Sequence, residues 1–573
     1  MKHNFKMLAI IIAIITILLS FGCGSGTPES TLAPQSPIDQ EPAQELESSG
    51  TAYLHPNPVE ESLPIYGGIL QYGYYIPRSF DAHQKVGYGP QAALPTFNQL
   101  VMFDLTYKDT VLDTIIGDLA ESWDMSQDGT EITFTLHQGV KWHDGMPFTA
   151  DDVVYSLDKM TDVNRSAIAD LFPAYESTEK IDDYTVKVRL KYASAGFMLA
   201  LAAGESVIQA KHLAGTSDQS AEFMVGTGPF ILEEYLPRVH LKWKRSPDYW
   251  RKDNYGNQLP YLDGLILYNA SSATCDEMLV GRRLDLKGPV TGAATQSTLD
   301  FLTKGAPELL WQKRDREDGV AVYLNMKHKP LDDVRVRRAL GLVLEERDLI
   351  TGYSGTDIFG VPDSGILSPS LGLPSEEIRQ LMGWDRPWDE RLAEAQRLMA
   401  DAGYANGFKM EIMAIGGAQA RAGATLVFAE VLRQNLKIDA VLISPEATEI
   451  DKRLAEDRYD AYCMTVRSGQ DPANITIYFA TGGYANWSNY SNPELDKMLA
   501  EIDQIIEPTK RREAIWAIER LLLTDLPALP TGCFIAAWMP YYPHVKNLRF
   551  NHMSYSTTNR FEDVWIDESL RVK

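Results

Sequence analysis

The chain has 573 residues, of which 45% are hydrophobic and 23% charged. That is the composition of a folded protein much longer than one compact core supports, and at roughly 150 residues per domain it should form three or four lobes. Its 54 basic against 78 acidic residues give a net charge of -24, which repels nucleic acid and anionic lipid and excludes both as main partners.

Lys2 and Lys6 precede an almost entirely apolar run from Leu8 to Leu19. The run is shorter than the roughly 20 residues of a spanning helix and sits where the core of an export signal belongs. It ends in Leu18-Leu19-Ser20-Phe21-Gly22-Cys23-Gly24. This resembles a bacterial lipoprotein signal, in which cleavage before the cysteine is coupled to lipid attachment at its sulfur. Gly22 fits that pattern, whereas Ser20 and Phe21 depart from it. The expectation is a signal over 1–22 and a lipid on Cys23 that anchors the protein to the cell membrane outside the cytoplasm, with ordinary secretion or an uncleaved anchor as the alternatives. Residues 23–63 are rich in Pro, Ser, Thr and Glu and contain no Lys or Arg. They read as a disordered, self-repelling acidic linker.

The body reads as α/β. Ile132, Phe134 and Leu136 alternate with polar residues, as do Val186, Val188 and Leu190, so both segments are half-buried strands with Leu136 in the core. Turns are expected at Asp128-Gly129 and at His143-Asp144-Gly145. Thr149 and Asp152 form a capping box for the helix that follows. Asp389 opens another helix, with Leu392, Ala395, Leu398 and Met399 inward and Gly403 ending it. Asn492-Pro493 is an N-cap and first-turn pair for a helix burying Leu495, Met498, Leu499 and Ile502. Cys275, Cys463 and Cys533 form no disulfide framework: they are buried thiols, or Cys463 and Cys533 are bridged.

The sequence contains no H-E-x-x-H helix, phosphate loop or nucleophile elbow. Gly226-Thr227-Gly228 starts like a dinucleotide fingerprint, but Ile231 stands at the third glycine position and Pro229 suits a tight backbone crossing. His137 and His143 read as surface polar residues. No catalytic residue, metal site or cofactor is assigned, and the protein is not expected to be an enzyme.

Residues 118–157 read DLAESWDMSQDGTEITFTLHQGVKWHDGMPFTADDVVYSL. This stretch resembles the signature region of bacterial extracellular solute-binding proteins of family 5, the peptide/nickel type. Further matches follow in the family's order at Gly226 to Phe230, Leu324 to Met326, Pro330 to Leu340, Ala402 to Tyr404, Tyr459 to Ala461, Asp471-Pro472, Tyr490 to Asp496 and Asp525 to Pro527. The resemblance implies a two-lobed, type II periplasmic-binding-protein-like clamp with an additional α/β domain inserted in the first lobe. Lobe one would be 64–98, 223–318 and 543–573, the extra domain 99–222, and lobe two 319–542. It also implies a monomer that captures a small molecule between its lobes and delivers it to the permease subunits of an ABC importer. A short peptide is the favoured ligand; an oligosaccharide, an opine-like conjugate or a nickel chelate are alternatives, as is a signalling receptor or adhesin on the same fold.

A buried small-molecule site combines aromatic walls with a few placed polar groups. That combination is densest in lobe two, where an apolar strand from Tyr459 to Val466 leads into a polar loop at Arg467, Ser468, Gln470 and Asp471, followed by Trp487 and Tyr490. Peptide-binding members place an aspartate four residues before the motif's proline, where it pairs with the peptide ammonium; here that position is Ser468. Arg467 adds a fork for a carboxylate or phosphate. Arg421, in the glycine-rich loop from Gly416, resembles an arginine that holds the ligand carboxylate in dipeptide-binding members. Tyr75 completes the candidate set.

Overall fold

The computed structural model describes residues 54–60, 62–77, 79–84, 94–288, 295–314, 318–414, 419–468, 471–534, 537–551 and 560–571. The expected signal, Cys23 and most of the linker lie outside these residues. Three sheets carry the described architecture. A seven-stranded sheet has the order 310–314, 537–541, 286–287, 69–74, 264–269, 240–245, 230–236. A five-stranded sheet has the order 439–443, 409–414, 461–467, 318–324, 528–530, and a four-stranded antiparallel sheet has the order 120–125, 131–136, 185–190, 175–182. Among the described residues no helix is long and apolar enough to cross a membrane.

The four-stranded sheet follows the alternation read from the sequence. Ile132 pairs with Val188 and Phe134 with Val186. These four side chains and Leu136 are fully buried, while Glu131 lies among Lys187 and Arg189 on the wetter face. Asp128-Gly129 turns between the first two strands with Gly129 in the left-handed region. The helix Ala150–Met160 starts as expected, with the Asp152 carboxylate accepting the Thr149 N–H at 3.0 Å.

This module is fastened to the seven-stranded body by buried polar networks. Asp118 receives Arg560 at 2.5 Å, Asn98 Nδ2 at 2.8 Å and the Gln99 N–H at 2.7 Å. Arg251 pairs with Glu562 at 2.8 Å beside them. Lys159 donates to Asp81 and to Gln209, each at 2.6 Å. A Cβ at Gly226 or Gly228 would collide with the Thr96 backbone, so both glycines serve a close chain crossing, as Pro229 suggested. His143 is part of that crossing. Its N–H donates to the Gly226 carbonyl at 2.9 Å, and its ring contacts the Gly228 carbonyl at 2.9 Å and the Gly226 amide at 3.3 Å. Burial pushes its pKa down to about 4. His143 is therefore a buttress, which corrects its reading as a surface residue. His137 packs at a tilt against Trp250, ring centres 4.5 Å apart.

Two further expectations change. The linker does not extend undisturbed to 63: Leu54 and Asn57 are buried, and Asn57 Nδ2 donates to the carbonyls of Leu105, Tyr107 and Phe550. The strand Ala537–Tyr541 pairs with Leu310–Arg314 in the seven-stranded sheet, whereas the boundary at 542 put it in lobe two. In both cases the pattern was locally ambiguous and a distant partner decided it. The helix beginning near Asp389 runs from Trp388 to Asp401, and Cys275, Cys463 and Cys533 are free and buried.

Leu136→Ala should lower the unfolding free energy by about 2–5 kcal/mol, because it leaves a methyl-lined void in a sealed core. Denaturant titration followed by tryptophan fluorescence checks this, and ligand affinity of the folded fraction should stay unchanged.

Candidate functional site

Lys409–Ala414 runs parallel to Asp439–Ile443 on one side and to Ala461–Arg467 on the other. Their carboxyl ends therefore share one edge of the five-stranded sheet. The helices Gln419–Leu436 and Ala447–Ala455 follow the first two of these strands, and the turn Pro472–Ile475 follows the third. In open α/β sheets this edge is where ligands are received.

Arg421 is the third residue of its helix, not part of the preceding loop; Gly416, Gly417 and Ala418 lie outside the described residues. Its guanidinium reaches across the sheet edge, donating to Thr465 Oγ1 at 2.8 Å, with Met464 Sδ at 3.8 Å. Tyr462, three residues back along the strand from Thr465, is buried; burial pushes its hydroxyl up to about 12 against the opposing charge of Arg421. Trp487 is half-buried and packs edge-on against Tyr462 at 5.2 Å and Tyr323 at 5.0 Å. Its carbonyl accepts the Tyr459 hydroxyl at 2.7 Å. Arg421, Tyr462 and Trp487 thus come together as a cation beside an aromatic wall. Arg467 ends the strand exposed to solvent.

The other candidates are bound into the framework. Ser468 is buried, and its hydroxyl accepts the Ser368 N–H at 3.0 Å. Asp471 caps the following turn through the Ala473 N–H at 2.8 Å and pairs with Arg511 at 2.6 Å. Its carboxyl is pushed up by burial, with Arg511 opposing. The Tyr490 hydroxyl donates to Asp525 at 2.5 Å and accepts from Asn492 Nδ2 at 3.0 Å, which puts this side chain in the core. Tyr75 follows the strand Ile69–Tyr74 of the other sheet, partly exposed and edge-on to Tyr74 at 5.9 Å. Gln470 lies outside the described residues. Among the described residues no cluster of three His, Cys, Asp or Glu could hold a metal ion.

The sequence reading missed Ser368 and the group that holds its loop. Glu519 is buried and accepts the N–H groups of Leu367 at 2.9 Å and Leu373 at 2.5 Å. A Cβ at Gly365 or Gly372 would strike its carboxylate. The paired loop glycines were a local signal for this approach; the identity of the approaching residue was not, since 152 positions separate Leu367 from Glu519.

The family model for bacterial extracellular solute-binding proteins, family 5 (middle region), matches residues 114–487. The chain belongs to this family. Its relatives include "Di/tripeptide-binding protein 1" of Pseudomonas aeruginosa, 27% identical over 525 residues covering 85% of this chain and 92% of the relative. Among solved structures, HbpA2 from Haemophilus parasuis matches at a TM-score of 0.73 and 22% identity, over 87% of this chain and 99% of that one. The unliganded open form of the murein tripeptide-binding protein MppA matches at 0.74 and 20% identity, over 88% and 98%. The two-lobed clamp of these family 5 proteins is the fold of this chain.

Burial pushes the Glu519 carboxyl up to about 7, against the pull of the backbone amides it accepts. A carboxyl with a folded pKa above its unfolded value near 4.5 binds more protons when folded, so its contribution is full below 4.5 and is lost as pH rises through 7. Unfolding free energies measured from pH 4 to 8 should therefore fall more steeply for the wild type than for Glu519→Gln, by about 3 kcal/mol across the window. Parallel profiles would remove Glu519 as the source.

Proposed function

We propose that the protein is the extracellular binding subunit of an ABC importer and that it captures short peptides. The observation that carries this reading is the end-to-end correspondence with a di/tripeptide-binding relative, which spans 92% of that protein rather than a shared segment. The site residues fit such a role as follows. Arg421 would hold the ligand carboxylate through a guanidinium already oriented by Thr465. Tyr462 and Trp487 would form the apolar wall, and Arg467 would line the entrance.

The ligand ammonium needs a different partner from the one the family pattern supplies. Ser468 is neutral and already accepts a backbone amide, and Asp471 is paired with Arg511. Leaving an ammonium unpaired in a closed site costs several kcal/mol, a large part of the roughly -8 kcal/mol of a micromolar complex. This favours peptides that are anchored mainly through their carboxylate and side chains.

We also propose that the sheet containing 69–74 and the sheet containing 461–467 are the two lobes, with the four-stranded module the inserted domain, a lipid on Cys23 and a monomeric state. Binding requires no catalysis. A ligand touching both lobes favours the closed arrangement by the difference in its contacts between the two states.

A thermal-shift screen against dipeptides, tripeptides, an opine, an oligosaccharide, a nickel chelate and haemin tests the reading. Dipeptides or tripeptides at a hundredfold excess over Kd should add about 2.7 kcal/mol of stability. Arg421→Ala should weaken that binding by about 10- to 100-fold, with the melting temperature of the free protein nearly unchanged. A shift with the opine, sugar, chelate or haemin alone would reject peptides as the ligand.

A further inference from the structure

The four-stranded module meets the five-stranded body at a small polar contact. The helix Ala195–Ala202 begins at Ser194, whose hydroxyl caps it by accepting the Phe197 N–H at 3.1 Å. Asp503, in the turn Ile502–Gln504 after the helix Pro493–Glu501, places its carboxylate on the same helix end. Ser194 Oγ donates to the two carboxylate oxygens at 2.9 and 2.8 Å, and the Gly196 N–H donates at 2.8 Å. An anionic carboxylate on amides at the positive end of a helix is a favourable, charge-assisted arrangement.

Glycine is required at 196 for this approach. A Cβ there would lie 2.6 Å from Asp471 Oδ2 and 2.9 Å from Asp503 Oδ1. Arg511 balances the second carboxylate at 2.6 Å and donates also to the Ile502 carbonyl. Burial, and after it the charges of Asp503 and Asp471, push the Tyr192 hydroxyl up. Next to this cluster the Gly129 turn comes close enough to Ile506 that a Cβ there would sit 3.0 Å from its Cδ1.

The two attachments of the module differ in kind. Toward the seven-stranded body it is fastened by sealed networks, with Asp118 and Arg560 both buried. Toward the five-stranded body the Asp503 contact is partly exposed and is made by hydrogen bonds that require one relative placement of the two parts. A clamp that rotates one body against the other must keep the first attachment and can break the second.

We infer that Asp503 with Ser194 and Gly196 is an interlobe latch, biasing the clamp toward the arrangement described here over any other separation of its lobes. The inference rests on the two-lobed fold and not on the identity of the ligand. Losing a carboxylate from a partly buried helix end should change the population ratio of the two arrangements by roughly 5- to 30-fold.

Electron-electron distance measurement on the full chain tests this without any ligand. Ile181→Cys and Leu426→Cys place spin labels on exposed positions of a module strand and of the helix Gln419–Leu436. Cys23→Ser leaves the three native thiols as buried, unreactive groups. Glu507→Gln is the control, since it removes the charge from the carboxylate that caps the helix Pro508–Asp525, four residues from Asp503. Asp503→Asn and Ser194→Ala should each add a second distance population, while Glu507→Gln lowers the melting temperature and leaves the wild-type distribution in place. If Asp503→Asn superimposes on the wild type, or if Glu507→Gln shifts the distances equally, the latch is overturned. The peptide reading is decided separately by the thermal-shift screen.

Discussion

A two-stranded ribbon shared by both large sheets is the constraint on which the molecule depends. Leu310–Arg314 pairs with Ala537–Tyr541 in the seven-stranded sheet. The chain then enters the five-stranded sheet, where Asp318–Leu324 pairs with Ala528–Pro530 and with Ala461–Arg467. Each sheet holds its strand pair by ladder hydrogen bonds, and in the proposed clamp one body would turn against the other about this connection. Trp538 belongs to its second strand, donating to the Ile358 carbonyl at 3.3 Å and packing edge-on to Phe359. The same ribbon places the candidate site, because Arg467 is the register partner of Asp318 at the point where the strand enters the second sheet.

Charge burial divides the molecule along the same line. The four-stranded module is fixed to the seven-stranded body through Asp118, Arg560, Arg251 and Glu562, a group in which each acid has an arginine beside it. Removing one member of such a group leaves its partner as an uncompensated buried charge, which is strongly unfavourable. The attachment therefore behaves as permanent. At the other face, Asp503 and Asp471 are neighbouring acids with one buried arginine between them and the protein core. The attachment to the seven-stranded body centres on the buried pair Asp118 and Arg560, and the proposed latch uses a single carboxylate on a helix end.

Local pattern made the elements legible, and distance in sequence concealed the partners. The strand at Ile132 to Leu136, the Thr149–Asp152 cap and the Asn492-Pro493 helix start are each specified within a few residues, and each forms as read. So does the glycine crossing at 226–228, because Pro229 and two glycines leave few alternatives. His143 read as a turn residue because nothing near it in sequence reveals that Gly226 and Gly228 lie against its ring. Ser468 and Asp471 read as ligand groups because a polar loop after an apolar strand looks the same whether it faces a solute or another loop. Their partners, Ser368 and Arg511, are 100 and 40 positions away. Arg421 was identified, but its helix was taken to start too late, since the glycines before it blur the boundary.

The commitment of Ser468 and Asp471 narrows the chemistry left to the site. A receptor that closes on its ligand removes water from every group it encloses, so each enclosed charge must find a protein partner. Among the described residues, the strand ends on the five-stranded side carry two cations, Arg421 over Thr465 and Arg467 at the exposed strand terminus. The nearby acid is neutralised by Arg511 and turned toward its own helical turn. At the proposed site this edge would receive an anion set against an aromatic wall, and a ligand cation would be met from the other lobe or stay near the solvent. Selectivity in such a clamp follows from which charges the framework has already consumed as much as from which side chains face the ligand.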